Sequence, residues 1–330
     1  VGAVRTKPSR RLATAACAAL FAAGCSTSES VAPPSVDRTA QAAASTAVPD
    51  PRPAPTPPPA SAGDDPAAAA PARTVAVDPP AATASIAVSE GDWGVARTED
   101  IAAVLRSTAQ CFQAAVEERT VDPVLVEPSG VGENVPRSLF DRAKGGETRV
   151  HLHVRGRHWA QFAFQFGHEF CHVLSNHRVM ADRPFGWINE CLCETASLYA
   201  LRSMARTWET SPPYPNWRDY APSLGKYAAE RCAEPQHTLP DGVAFSAWLA
   251  ARLSFLEADP GKRADNVVIA KRMLPVFEQR PDAWRAVRYL NLWDAAKDTS
   301  LQQYFAHWRD ASPARLRADI DRIERALRDD

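Results

Sequence analysis

The run His168-Glu169-Phe170-Cys171-His172 sets two imidazoles four positions apart, with a carboxylate directly after the first. On a helix, positions i and i+4 are offset by about 40°, so both rings can reach one metal ion from the same face. This is the H-E-x-x-H arrangement, in which the glutamate serves as general base toward a metal-activated water. A pair of core histidines beside a surface glutamate would be the duller explanation. A catalytic zinc also needs a third protein ligand and one open coordination position. Downstream, Glu190 and Glu194 stand at i, i+4 within Trp187-Ile188-Asn189-Glu190-Cys191-Leu192-Cys193-Glu194. Two carboxylates stacked on a largely apolar helix are costly unless a cation shares them.

The elements that must position these groups are legible nearby. From His158 to about Ser175 there is no proline and one glycine, and Phe162, Phe166, Phe170, Val173 and Leu174 recur at helical spacing, which predicts a buried helix. After a turn at Asp182-Arg183-Pro184, a second helix is expected from near Trp187 to about Ala205. Ahead of both, residues 149 to 154 alternate with period two and predict a strand with Val150, Leu152 and Val154 on one face. Such a strand could pair with an extended peptide if it lay at a sheet edge. An internal strand would fit the same pattern.

H-E-x-x-H followed by W-I-N-E-x-x-x-E resembles the gluzincin branch of the zinc metallopeptidases, over roughly residues 148 to 205. The resemblance implies an α+β fold: a zincin-like catalytic domain with a small sheet before the active-site helix and a helix-rich C-terminal part. It implies Zn2+ held by His168, His172 and Glu190, with Glu169 as general base and Glu194 behind a ligand histidine. It also implies a peptide or protein substrate. The chain departs from the family in one respect: 17 residues separate His172 from Glu190, slightly fewer than usual, so Glu194 stays open as the ligand instead. The metzincin glycine turn is missing after His172, where Val173-Leu174-Ser175-Asn176-His177 follows. A donor to the oxyanion is not named by any motif. Tyr199, Tyr214, Tyr220, Tyr227, His177 and His237 are candidates, with Tyr220 and His237 favoured because 207 to 241 reads as loop-rich. Two rival functions remain: hydrolysis of a non-peptide amide in a cell wall, and a catalytically inactive envelope binding protein that keeps the zincin fold. Retention of Glu169 counts against the second.

The chain has 330 residues, with Lys+Arg 38 against Asp+Glu 39 and net charge −1, which argues against a nucleic-acid partner. Of its 28 prolines, 13 fall between Pro33 and Pro80. Arg5, Lys7, Arg10 and Arg11 precede the short apolar run Leu12 to Ala23 and then Gly24-Cys25. This reads as residues 1–25 forming an export signal that ends in a bacterial lipoprotein box, although Ala22 replaces the commoner leucine. A plain secretory signal is the alternative. Lipidated Cys25 would anchor the protein to a membrane of the cell envelope, residues 26–90 would form a disordered Ala/Pro-rich tether, and 91–330 the catalytic domain. Outside the cytoplasm Cys111, Cys171, Cys191, Cys193 and Cys232 tend to oxidise with at least one left unpaired; a bridge from Cys171 to Cys191 or Cys193 would staple the two helices and Cys232 could clamp the loop after them, the partners staying open. Elsewhere the patterns predict a helix over Thr98 to Glu118 and an extended piece over 121 to 126. Further helices are expected over 243 to 257, 264 to 278, 281 to 295, 299 to 309 and 313 to 328, with Trp248, Trp284, Trp293 and Trp308 as packing residues.

Overall fold

Residues 83–130, 135–176, 184–294 and 297–328 are described by the structure, a computed structural model. The expected signal, Cys25 and the tether as far as residue 82 lie outside the described residues. The chain runs through β1 (Ile86–Val88), α1 (Thr98–Gln110), α2 (Gln113–Glu118), β2 (Val124–Pro128), β3 (Arg137–Arg142) and β4 (Thr148–Leu152). It continues through α3 (Trp159–Leu174), α4 (Gly186–Thr207), α5 (Ala221–Ala233), α6 (Phe245–Ala258) and α7 (Arg263–Gln279). It ends with α8 (Trp284–Val287), α9 (Leu301–Ala311) and α10 (Arg317–Arg328). The fold is therefore α+β, with one small sheet ahead of a helical majority.

Period-two alternation decides the sheet. Val124 and Val126 on β2, and Thr148, Val150 and Leu152 on β4, point into the core, and the intervening residues are half-buried. β1, β2 and β4 run parallel, and β3 pairs antiparallel with β4, giving the order β1-β2-β4-β3. Of the two readings open for residues 149 to 154, the internal one holds: β4 lies between β2 and β3, and β3 forms the edge. The tether boundary also moves. Ile86 pairs with Val124 and Val88 with Val126, so the folded unit begins before residue 91. Three strand residues beside an Ala-rich flank were too short a pattern to stand out.

α3 is buried on nearly every side, with only Gln161, Gln165 and Val173 escaping. A helix apolar all round belongs in the centre of a domain, and α3 packs against the sheet, α1 and α4. α4 is equally enclosed, by α3, α5 and α7. The expected single helix over Thr98 to Glu118 breaks at Phe112, whose ring turns inward against Trp284 at 4.9 Å and Tyr199 at 5.9 Å. Residues 221–233 form α5 where loop was expected, and the helix expected over 281 to 295 shrinks to a 3₁₀ turn and α8. Trp284 and Trp308 are fully buried packing residues, as expected.

A polar clasp explains why that last helix stops. Buried Arg288 donates to the carbonyls of Leu174 (2.6 Å), Thr120 (2.8 Å) and Arg119 (3.2 Å). Asn291, at φ 66°, donates to Ser175 O at 2.8 Å, and Asn176 donates back to Leu290 O at 3.0 Å. The carbonyls at the end of α3, which have no intrahelical donor, are thereby satisfied. No helix among the described residues is long and apolar enough to cross a membrane.

The α3–α4 seam is tight at Gly167, where an added Cβ would meet Ser197 Cα at 3.3 Å and Ala196 O at 3.4 Å. Gly167→Ala is expected to lower stability in chemical denaturation by about 1–3 kcal/mol through overpacking. Gly225→Ala on α5, where the added carbon meets only Ala205 Cβ at 3.5 Å, is the contrast and should cost nothing.

Candidate metal centre

α3 and α4 bring together every residue of the expected ligand set. His168 and His172 project from one face of α3 with ring centroids 5.0 Å apart. Glu190, one turn into α4, sets Oε2 3.3 Å from His168 Nε2 and Oε1 3.5 Å from His172 Nε2. One carboxylate thus faces both imidazoles. Glu190 is 20% exposed against 5% and 6% for the histidines, which places it at the mouth of the site.

The outer nitrogens of the two rings are held from behind. Asn189 Oδ1 accepts from His172 Nδ1 at 2.8 Å, and Asn189 Nδ2 donates to Ser175 Oγ at 2.7 Å. An amide oxygen can only accept, so Nδ1 carries a proton, and in the neutral ring the Nε2 lone pair points at Glu190. A lone pair facing a carboxylate is repulsive unless a cation lies between them. Glu194, only 1% exposed, sets Oε1 3.6 Å from His168 Nδ1, and neither of its oxygens has a hydrogen-bond partner. Its nearest cation is Arg263, with Nε at 3.8 Å. Burial pulls the His168 pKa down, but Glu190, with Glu194 and Glu169 close by, outweighs burial and leaves it raised. The cluster as a whole calls for positive charge, and the residues present fit a divalent ion held by His168, His172 and Glu190.

Cys193 is a competing third ligand, since one donor atom from each of His168, His172 and Cys193 lies within 4.8 Å of the others. Its Sγ sits 3.3 Å from His172 Nδ1, however, on the side already taken by Asn189. Glu190 faces Nε2 of both rings and is the better third donor. Glu194 is on the far side of His168, so the alternative in which it replaces Glu190 is not favoured.

Glu169 lies beside this group and is buried. Ser138 Oγ, on β3, is 2.9 Å from both Glu169 Oε2 and the Glu169 carbonyl oxygen. Burial raises the Glu169 pKa, and neighbouring Glu190 adds to the rise, while His168, Ser138 and Arg263 moderate it. A carboxyl tuned upward in this way suits proton transfer near neutrality. A cleft of about 480 Å³ opens onto His168, Glu169, His172 and Glu190, walled by residues 135–138 leading into β3 and by Gly261 and Arg263 before and at the start of α7.

The expected oxyanion donors are elsewhere. Tyr220 is buried, and its hydroxyl accepts from Ala160 N at 3.2 Å at the start of α3. His237 is also buried, with Nδ1 2.6 Å from Arg231 O. Tyr199, Tyr214 and Tyr227 do not line the cleft, and His177 lies outside the described residues. Arg137, Ser138 and Arg263 occupy the cleft instead, none of them marked by a motif. The disulfide expectation is corrected as well: Cys111, Cys171, Cys191, Cys193 and Cys232 are all free thiols. Cys191 turns toward Asn266 Oδ1 at 3.4 Å, while Cys193 adjoins Cys171 as a hydrogen-bonded thiol.

Comparison of the chain with family models, with curated proteins and with solved structures finds no match. The ligand assignment is therefore tested directly, by metal content after zinc loading and gel filtration. His168→Ala, His172→Ala and Glu190→Gln should each lose most of the bound metal, whereas Cys193→Ser should keep it. Asn189→Ala, which frees the His172 ring, should weaken metal affinity by about 10–100-fold.

Proposed function

We propose that the protein is a zinc-dependent peptidase of the gluzincin type on a zincin-like fold, hydrolysing peptide bonds outside the cytoplasm. The observation that carries this reading is that Glu190 faces Nε2 of both His168 and His172 while Glu169, buried and held by Ser138, stands next to them. Two imidazoles and a carboxylate are a donor set suited to catalytic zinc. Bound zinc supplies Lewis acidity, polarising the scissile carbonyl and making water a stronger acid.

The chain's own groups do the rest. Glu169 takes a proton from the attacking water as the water oxygen adds to the carbonyl carbon. The same proton passes to the departing nitrogen as the C–N bond breaks, leaving a carboxylate and an amine. Ser138 keeps Glu169 Oε2 aimed, since one hydrogen bond fixes one oxygen and leaves the other for the water. Asn189 holds the His172 ring by a hydrogen bond, and the Glu194 carboxylate faces His168 Nδ1 at 3.6 Å, so both rings direct Nε2 inward. β3, at the sheet edge beside the cleft, supplies a row of backbone groups to which an extended peptide could add as a further strand. On the reading of the N-terminus, Cys25 holds this activity at a membrane of the bacterial envelope.

The reading is tested with casein and a mixed peptide library, set against cell-wall muropeptides. Glu169→Gln should keep its zinc and lose turnover by a factor of about 10²–10⁴. An equally active variant would remove Glu169 from the chemistry, and cleavage of muropeptides alone would move the substrate to a wall amide. Ser138→Ala removes a bond that favours the ionised form of Glu169, so its pKa should rise further and the acidic limb of kcat/KM should shift to higher pH.

A further inference from the structure

Two arginines in the cleft are left over by the mechanism. Arg137 leads β3 and Arg263 opens α7, and both line the cleft onto which His168, Glu169, His172 and Glu190 open. The side chain of Arg137 is exposed and makes no hydrogen bond or ion pair among the described residues. The side chain of Arg263 makes no hydrogen bond there either, and its one ion pair among the described residues is the 3.8 Å approach of Nε to Glu194, with the side chain 40% exposed. Neighbouring arginines on the same sheet are treated differently. Arg142 is held by Asp122 at 2.6 Å, and Arg149 by Glu127 at 2.6 Å and Asp141 at 2.7 Å. Guanidinium groups with unused donors, facing a cleft, are suited to a planar oxyanion.

The charge balance points the same way. With a divalent ion in place, Glu190 and Glu169 offset its charge and the two imidazoles stay neutral, so the charges of the arginines remain in excess at the mouth. Glu194 offsets part of this for Arg263, but it is sealed behind His168 and closed to the cleft. A low-dielectric wall concentrates such a field.

We propose that Arg137 and Arg263 form an anion-recognition pair that selects substrates carrying a carboxylate close to the scissile bond. This rests on the peptidase reading for the reaction, but not for the binding. The carboxylate could be an acidic side chain or the terminus of the peptide, and both present the same two oxygens.

The test uses the full chain loaded with zinc and a peptide panel in which the residues flanking the scissile bond are Glu or Gln and the C-terminus is free or amidated. The wild type should favour the carboxylate-bearing peptide by about tenfold or more in kcat/KM, the size expected for a hydrogen bond to a charged group. Arg263→Gln and Arg137→Gln should each reduce that ratio, with Arg263→Lys restoring part of it. Preference for Glu over Gln identifies the side chain, and preference for the free terminus identifies the chain end. If Arg263 served only the developing oxyanion, its loss would slow all peptides alike and leave the ratio unchanged, which overturns the proposal. Fluorescence anisotropy of the same labelled peptides on the Glu169→Gln background gives a second readout, free of turnover. Charge-dependent binding that falls with salt and with either arginine variant supports the pair even if no peptide is cleaved, in which case the peptidase reading fails alone. Equal binding of charged and neutral peptides, or binding of neither, sinks the anion-recognition pair.

Discussion

Five ionisable side chains, His168, Glu169, His172, Glu190 and Glu194, converge on the seam between α3 and α4, and four of them are almost completely buried. Three carboxylates in so small a space cannot all stay charged without a counter-ion, because burial removes the water that would otherwise solvate them. The same crowding raises the His168 pKa against the pull of burial, because the neighbouring carboxylates favour a proton there. A divalent ion would relieve more of it, since both rings and Glu190 face one space. The crowding is set by how α3 and α4 pack: they approach closely where Gly167 meets Ala196 and Ser197, which leaves the first turns of α4 beside the second half of α3.

Around that demand for charge the groups divide their work by depth. Asn189 and Glu194 lie deepest and act on the far nitrogens of the rings. Glu190 stands at the boundary, exposed enough to meet the cleft and close enough to bridge both histidines. Ser138 reaches in from the sheet to Glu169, so the small sheet contributes a contact to the site as well as support. A register shift between Ser138 and Arg142 shows that β3 departs from regular pairing beside the site, a place where bulges commonly re-aim side chains.

What could be read from the chain beforehand was whatever repeats with a short period. The helix carrying His168 and His172 is marked by its phenylalanines, and the strand over 149 to 154 by its alternation. Trp187-Ile188-Asn189 singles out Glu190 over Glu194, and Glu190 stands 3.3 and 3.5 Å from the Nε2 atoms of His168 and His172. Features that depend on contacts distant in sequence were not legible. Ser138 meets Glu169 across 31 positions, and Arg263 meets Glu194 across a longer gap, with nothing in their local sequence to announce it. β3, Arg-Ser-Leu-Phe-Asp-Arg, lacks the alternation that marks β4. Tyr220 and His237 were drawn toward the site by an apparent loop that is partly α5, and both are occupied by packing duties elsewhere.

The clasp of Arg288 and Asn291 on the end of α3 bears on how far the α3–α4 site is modular. The carbonyls just beyond His172 are satisfied by donors more than 100 positions downstream, since Arg288 reaches Leu174 O and Asn291 reaches Ser175 O. Ser175 in turn steadies Asn189, and through it the ring of His172. A cassette cut to the two motif-bearing helices and grafted onto another scaffold would carry all the liganding side chains yet lack the fastening that orients one of them. Transplanting the site requires the distal segment as well.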